Sequence, residues 1–466
     1  MRPKINRQFE LDFHPSNLQV TNEYYEKYEA VSMILDDNPV ILDFVHDDVG
    51  EELKATTSQI KGGSDFTYTS DNVLRIVICQ IIEGRTLRET VIRIDDSYFL
   101  RRFVRIFNGP MMDYTTLCRL KNCISPATWK NVNDALARYA VREELIEGEQ
   151  LRLDTTAVET NIHWPTDSSL LWDTYRVLAR LITAVRELDP SMVGNRRLQT
   201  RKAKRIYTKI ARKASKKPGS EAAIRPLYER LIELVTAICE WADDVRKNLE
   251  RRCQIRRSAE LERELADQIA HFCHFGLRVI DQAARRVLDG EQVPNDQKLF
   301  SIFEPHTELL KRGKAAKPIE FGHMIQIQQV ERKFITDYDV FENKPVEHEL
   351  INEALKRHKS LFGDYPESLA ADKGYYESME AIKKLGKKID VVSIAKKGNR
   401  TEEEVLREAD PEFRFAQRFR AGVEGSISYL KRVLGLFRCF TKGWEHFAST
   451  VGATIFTHNV IILARG

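Results

Sequence analysis

One stretch constrains this chain more than any other. Leu151-Arg152-Leu153-Asp154-Thr155-Thr156-Ala157-Val158-Glu159-Thr160 alternates in polarity, is rich in β-branched residues and carries an acid at its middle. The pattern reads as a β-strand, and a carboxylate buried within one is costly unless a metal or a cation compensates it. Helical periodicity lies on either side, from Tyr68 to about Ile146 and from Leu170 to about Leu288. Strand signals return at residues 321–330 and 334–340, joined by Glu331-Arg332-Lys333 as a β-hairpin would be, and again at 368–372 and 389–395. Amphipathic helices are predicted at 347–361 and 413–434. With the helical block set aside, the order is β, β, β, α, β, β, α.

In the first helical tract Val73, Leu74, Val77, Ile78, Ile81 and Ile82 recur at helical spacing, and the run stops at Glu83-Gly84-Arg85. Thr86 with Glu89 three residues later is a capping box, so a second helix opens there and carries Arg88 and Arg93. Helix, glycine turn, helix is the helix-turn-helix outline. Asn108-Gly109-Pro110 then breaks the chain, and Asp113 caps a further helix with Arg119 on a basic face. The first 66 residues, of mixed polarity and ending near Lys61-Gly62-Gly63-Ser64, read as an arm.

The chain of 466 residues holds 73 Lys and Arg against 69 Asp and Glu, a balance too near zero to identify a partner. Its distribution says more. Residues 196–217 hold Arg196, Arg197, Arg201, Lys202, Lys204, Arg205, Lys209, Arg212, Lys213, Lys216 and Lys217 and no acid. A solvated helix face usually mixes both signs, so this run points to nucleic-acid phosphate. The scattered 7 cysteines suit reduced thiols, Met1-Arg2-Pro3-Lys4-Ile5-Asn6-Arg7 lacks the apolar core of a signal peptide, and no uninterrupted apolar stretch of membrane-spanning length is found. A cytoplasmic protein with no membrane partner is expected. No phosphate-binding glycine loop or dinucleotide fingerprint is present.

This order resembles that of ribonuclease H-like sheets, in which the first strand lies beside the fourth, and such a sheet would bring Asp154 within one and Asp372 at the end of the other together at the carboxyl edge. A third acid must come from a helix on that edge, and Glu424 is placed for it within Arg420-Ala421-Gly422-Val423-Glu424-Gly425-Ser426-Ile427-Ser428-Tyr429-Leu430-Lys431. At helical spacing Arg420 and Lys431 project within about 40° of Glu424. Asp337 and Asp339 on the hairpin rival Asp372, whereas Glu159 and Glu377 read as surface or supporting acids. His163 and Trp164, leaving the first strand, are candidates for contact with DNA, Trp164 by stacking on a displaced base or else by packing under the helical block.

These residues resemble the DDE transposases of bacterial insertion sequences, in the group whose third acid lies in the pattern Tyr-x2-Arg-x3-Glu-x6-Lys. Arg420, Glu424 and Lys431 match that pattern, and Gln417 stands in place of the tyrosine. Leu153-Asp154-Thr155-Thr156 with Val158-Glu159-Thr160 is similar to the first-aspartate strand, Ala371-Asp372-Lys373-Gly374-Tyr375 to the second-aspartate turn, and residues 68–119 to the helical DNA-binding segment. The resemblance implies an α/β ribonuclease H-like catalytic core, a mixed five-stranded sheet with helices, made of residues 148–164 and 301–466. It sets beside that core an arm at 1–66, an all-α DNA-binding domain at 67–147 and a large all-α basic insertion at 165–300.

It further implies Asp154, Asp372 and Glu424 as catalytic ligands of Mg²⁺, with Mn²⁺ as a substitute, and Arg420 and Lys431 as phosphate holders. Arg88, Arg119, Arg201, Lys202, Arg205, Lys209, Arg212 and Lys213 are the other expected DNA contacts. The expected substrate is double-stranded DNA, the terminal inverted repeats of the element and a target, cleaved and joined by a homodimer or larger synaptic assembly. A ribonuclease H-like nuclease that cuts without joining, and a domesticated DNA-binding protein without catalysis, are rival readings of the same pattern.

Overall fold

The computed structural model describes residues 18–58, 68–214, 220–255, 260–311 and 318–465. The chain divides into a core unit, Met1–Glu159 with His323–Gly466, and an inserted unit, Thr160–Gly322. Helices dominate both, and a mixed sheet runs through the core unit.

Among the described residues seven helices open the core unit: α1 (Gln19–Asp37), α2 (Pro39–Ser58), α3 (Ser70–Glu83), α4 (Leu87–Asp96), α5 (Tyr98–Phe103), α6 (Tyr114–Cys123) and α7 (Pro126–Arg142). Gly84 closes α3 in the left-handed conformation at φ 61°, which glycine adopts without a Cβ penalty. Thr86 and Glu89 then cap α4 reciprocally, and Asp113 caps α6.

Where the sequence reads as an arm, the structure carries two helices. Residues 19–58 form α1 and α2, which bury Tyr28, Val31, Ile41, Val45 and Val49. A buried charge network fixes α1: the fully buried Arg75 of α3 pairs with Asp71 at 2.7 Å and with Asp36 at 2.8 Å, and Arg105 reaches both acids. The Tyr28 hydroxyl donates to Glu83 at 2.7 Å. Apart from the Asp71–Arg75 pair within α3, these partners lie far apart in sequence, so local periodicity does not reveal them. Met1–Arg7 and Lys61–Ser64 lie outside the described residues.

Strand β1 (Gln150–Thr160) follows α7. In the inserted unit α8 (Asp167–Leu188), α9 (Thr200–Lys213), α10 (Ser220–Ile255) and α11 (Glu260–Ala283) pack around Leu178, Ile182, Leu231, Val235, Ile269 and Val279. This unit reaches beyond residue 300, where the short β2 (Glu308–Lys311) pairs antiparallel with Ile319–Gly322 at the start of β3 (Ile319–Gln329).

From Ile325 onward β3 pairs with β4 (Ile335–Val340) across a tight turn at Glu331–Lys333, the predicted hairpin. Then come α12 (Leu350–Phe362), β5 (Ser368–Ala371), α13 (Met379–Leu385), β6 (Val391–Ile394), α14 (Glu402–Ala409), α15 (Pro411–Arg432), β7 (Arg438–Cys439) and α16 (Trp444–Leu463). The sheet runs β3-β1-β5-β6, with β4 on β3 and β7 on β1, and β1, β5 and β6 are parallel. It has seven strands rather than the expected five, because β2 and β7 are too short for alternation to mark them.

Helix α16 is apolar almost all round and lies in the core. Trp129 donates to Ser449 at 3.0 Å, and the Asn459 side chain bonds both the N–H and the C=O of Ile335. Among the described residues it is the one helix long and apolar enough to cross a membrane, and 78% of that stretch is buried inside the protein.

Candidate active site

The parallel register of β1 and β5 pairs Leu153 with Ala371, so one further step sets Asp154 beside Asp372. Asp154 accepts from the Thr155 N–H at 2.8 Å, and Asp372 from the Lys373 N–H at 2.7 Å as the chain turns out of β5. Helix α15 packs on β5 and β6, burying Phe413, Ala416, Val423 and Ser426, and the Ser426 hydroxyl donates to Gln329 on β3 at 3.2 Å. Its approach requires Gly422, because a Cβ there would lie 2.5 Å from Nη1 of Arg152. That buried arginine bonds the Phe419 carbonyl at 2.5 Å and Gln329 at 2.9 Å, and stacks on the Phe419 ring. Gln417, at the tyrosine position of the resemblance, donates to the carbonyls of Ser393 at 2.6 Å and Ala371 at 3.4 Å, tying α15 to the ends of β5 and β6.

The acids meet at Arg420. Its Nη2 lies 3.6 Å from Asp154, 4.0 Å from Asp372 and 3.6 Å from Glu424. The Asp154 side chain is 12% exposed, that of Asp372 52% and that of Glu424 69%, so one buried acid stands beneath two that reach solvent. Burial pushes the Asp154 carboxyl up to about 6, against the lowering effect of Arg420 and the Thr155 N–H, while Asp372 and Glu347 add to the rise. The Nε of Arg420 is buried without a hydrogen-bond partner.

Glu347 is a fourth acid that sequence reasoning took only as a helix start. It accepts from the Thr155 hydroxyl at 2.5 Å and lies against Gly374. No local pattern marks it, since the chain between β4 and α12 decides its position. Tyr375 is buried beside this cluster, its hydroxyl accepting from Gln326 at 3.2 Å, and burial with the nearby carboxylates raises its pKa. Among the described residues no three His, Cys, Asp or Glu side chains are set around one metal-sized point. By kind, the hard oxygens of Asp154, Asp372 and Glu424 suit a divalent cation such as Mg²⁺, and the Arg420 guanidinium stands where they converge.

The remaining predicted residues spread over both units. Lys431 donates to the Ala157 carbonyl on β1 at 2.6 Å. The rival acids Asp337 and Asp339 are held by Arg357, at 2.5 and 2.7 Å, and by Lys130. Glu159 pairs with Arg438 at 2.7 Å, and Glu377 is exposed. Arg88 lies over the Tyr114 ring and donates to its hydroxyl, and Arg119 pairs with Glu52 at 2.9 Å.

In the inserted unit, α9 buries Ala203, Ile206 and Ile210 and exposes Arg201, Lys202, Lys204, Arg205, Lys209, Arg212 and Lys213. Among the described residues none of these seven cations has an acidic partner; Lys216 and Lys217 lie outside the described residues. His163 sits 3.5 Å from Asp173, and the largely exposed Trp164 meets Phe321 edge-on. The chain matches no protein-family model, no curated protein and no solved structure.

Proposed function

We propose that this protein is a DDE-type DNA transposase, cleaving DNA at the ends of an insertion element and joining them to a target. The observation that carries this reading is the convergence of Asp154, Asp372 and Glu424, from a strand, a turn and a helix, on one cationic point. A ribonuclease H-like core is supported by the neighbours of β1: the hairpin β3–β4 lies to one side of it and the parallel pair β5–β6 to the other. Mg²⁺ held by these three acids, with Mn²⁺ as a substitute, would supply activation of the attacking oxygen and stabilisation of the leaving one.

The residues of the chain do the rest. Arg420 partly offsets the burial that favours protonated Asp154 and, once turned off the acids, offers its guanidinium to a phosphate beside them. Lys431, one face along α15, adds a second cation on the β1 side. The exposed cations of α9 bind duplex phosphates without regard to sequence, positioning the DNA. Arg88 and Arg119, in the helical region before the sheet, belong to recognition of the terminal repeats, and His163 and Trp164 are further DNA contacts. Joining two ends calls for a homodimer or larger assembly, and the setting is cytoplasmic, on the nucleoid.

The test uses the purified full chain, DNA bearing the native flanks of its gene, and Mg²⁺ or Mn²⁺. Metal-dependent end cleavage followed by joining, lost in Asp154→Ala, Asp372→Ala and Glu424→Ala, is the expected result. Cleavage with no joined product would make the protein a nuclease. Binding of the flanks with no strand break in any metal would make it a non-catalytic DNA-binding protein.

A further inference from the structure

The segment from Gly425 to Trp444 contains Lys431, Arg432, Arg438 and Lys442 and no acid. Two of its aromatic rings stand in solvent: Phe437 is 51% exposed and Phe440 64%, and they meet edge-on with centroids 6.1 Å apart. Their backbone is nonetheless anchored. Leu434, Leu436 and Cys439 are buried, β7 pairs with β1, the Glu159 N–H donates to the Phe437 carbonyl at 3.2 Å, and Arg438 pairs with Glu159. Arg432 and Lys442 are exposed and, among the described residues, have no acidic partner.

Exposed aromatic rings on a fixed backbone have apolar faces to cover. Here the unpaired charge on the segment is all positive, which matches a polyanion with aromatic faces of its own. A base in a duplex hides those faces in the stack, so only an unpaired base can take these rings. Asp154 and Glu159 are five strand steps apart, about 16 Å of β1, so a strand lying at the acids can reach the rings within a few nucleotides.

We propose that Phe437 and Phe440 form a stacking platform for unpaired bases of a DNA strand that runs from the acid site, with Arg432 and Lys442 on its phosphates. The choice of strand rests on the reading of the acids as a DNA-cleaving site.

The test is fluorescence titration of the full chain with a single-stranded oligonucleotide carrying 2-aminopurine, beside a blunt duplex of the same sequence. Wild type quenches the probe. The Phe437→Ala, Phe440→Ala double variant loses about tenfold or more in single-strand affinity, while duplex affinity stays within about twofold and the melting temperature is unchanged. Replacement of both rings by Trp retains the quenching, and replacement by Leu, which keeps apolar area without a ring face, loses it. Retained single-strand affinity in the Leu variant, or equal weakening on both DNAs, overturns the platform. So does an alanine variant whose DNA binding is intact but which sediments as a smaller species, since the rings then meet a second copy of the chain. Quenching needs no cleavage: a wild type that quenches but never cuts overturns the transposase reading and leaves the platform standing.

Discussion

The acid face of the core unit and the basic face of α9 are built in opposite ways. Asp154, Asp372 and Glu424 arrive from three distant elements and share one guanidinium. The cations of α9 come from a single helix and share nothing. In the first region burial and the neighbouring charges set the state of Asp154. In the second, each cation acts alone in solvent, where interactions are screened. A point of this kind fails when one member is lost, whereas a surface weakens in proportion to what is removed.

The sharpest test of that contrast is removal of a single acid. Alanine at Asp154, Asp372 or Glu424 lowers the rate of strand cleavage by about 100-fold or more, as loss of one preorganised catalytic group does; a variant that stays active takes its residue out of the site. Next in size is the α9 surface. Glutamine at Arg201, Arg205, Lys209 and Arg212 together flattens the slope of log affinity against log salt by about 0.9 for each phosphate left unneutralised, read from titrations at several salt concentrations. Each single substitution gives its share alone, and one position accounting for the whole effect would turn the surface into a point.

Smaller effects separate the regions by stability. The Asp154 carboxyl titrates near 6 in the folded protein against about 3.9 when unfolded, so folding favours its protonated form. Its contribution to stability is full below about pH 4 and is lost as pH rises through 6. Asp154→Asn therefore stabilises the protein by roughly 1–3 kcal/mol above pH 6.5 and by nothing near pH 4, measured by thermal melts across that range. An equal shift at both ends would contradict the burial argument. Last, Gly422→Ala displaces Arg152 from the Phe419 carbonyl and costs about 1–2 kcal/mol in urea unfolding. Ala203→Gly on α9 costs about 1 kcal/mol and leaves DNA affinity unchanged.

Legibility from residues alone follows the same division. Features set by neighbours in sequence could be read directly: the Gly84 turn, the Thr86–Glu89 cap, the turn at 331–333 and the amphipathic α9. Asp154, Asp372 and Glu424 were legible together through the resemblance, which implies a first strand beside the fourth and a third acid spaced from Arg420 and Lys431; the strand periodicity around Asp154 was legible by itself. Whatever depends on distant partners was not. Helix α1 is held by Arg75 through Asp36 and Glu347 by Thr155, and the reach of Arg420 to Asp154 and Asp372 has no trace in any local pattern.

Helix α16 has a consequence for how the protein is made. It braces α7 and β4 through Trp129, Asn133 and Asn459, yet it follows both in the chain. At about 5–20 residues per second, a ribosome takes tens of seconds to get from α7 to the end of α16. Throughout that interval the Trp129 face of α7 lacks its cover, and the early helices wait for the last. A message cut short before Trp444 thus yields an open chain for proteases to clear rather than a stable fragment.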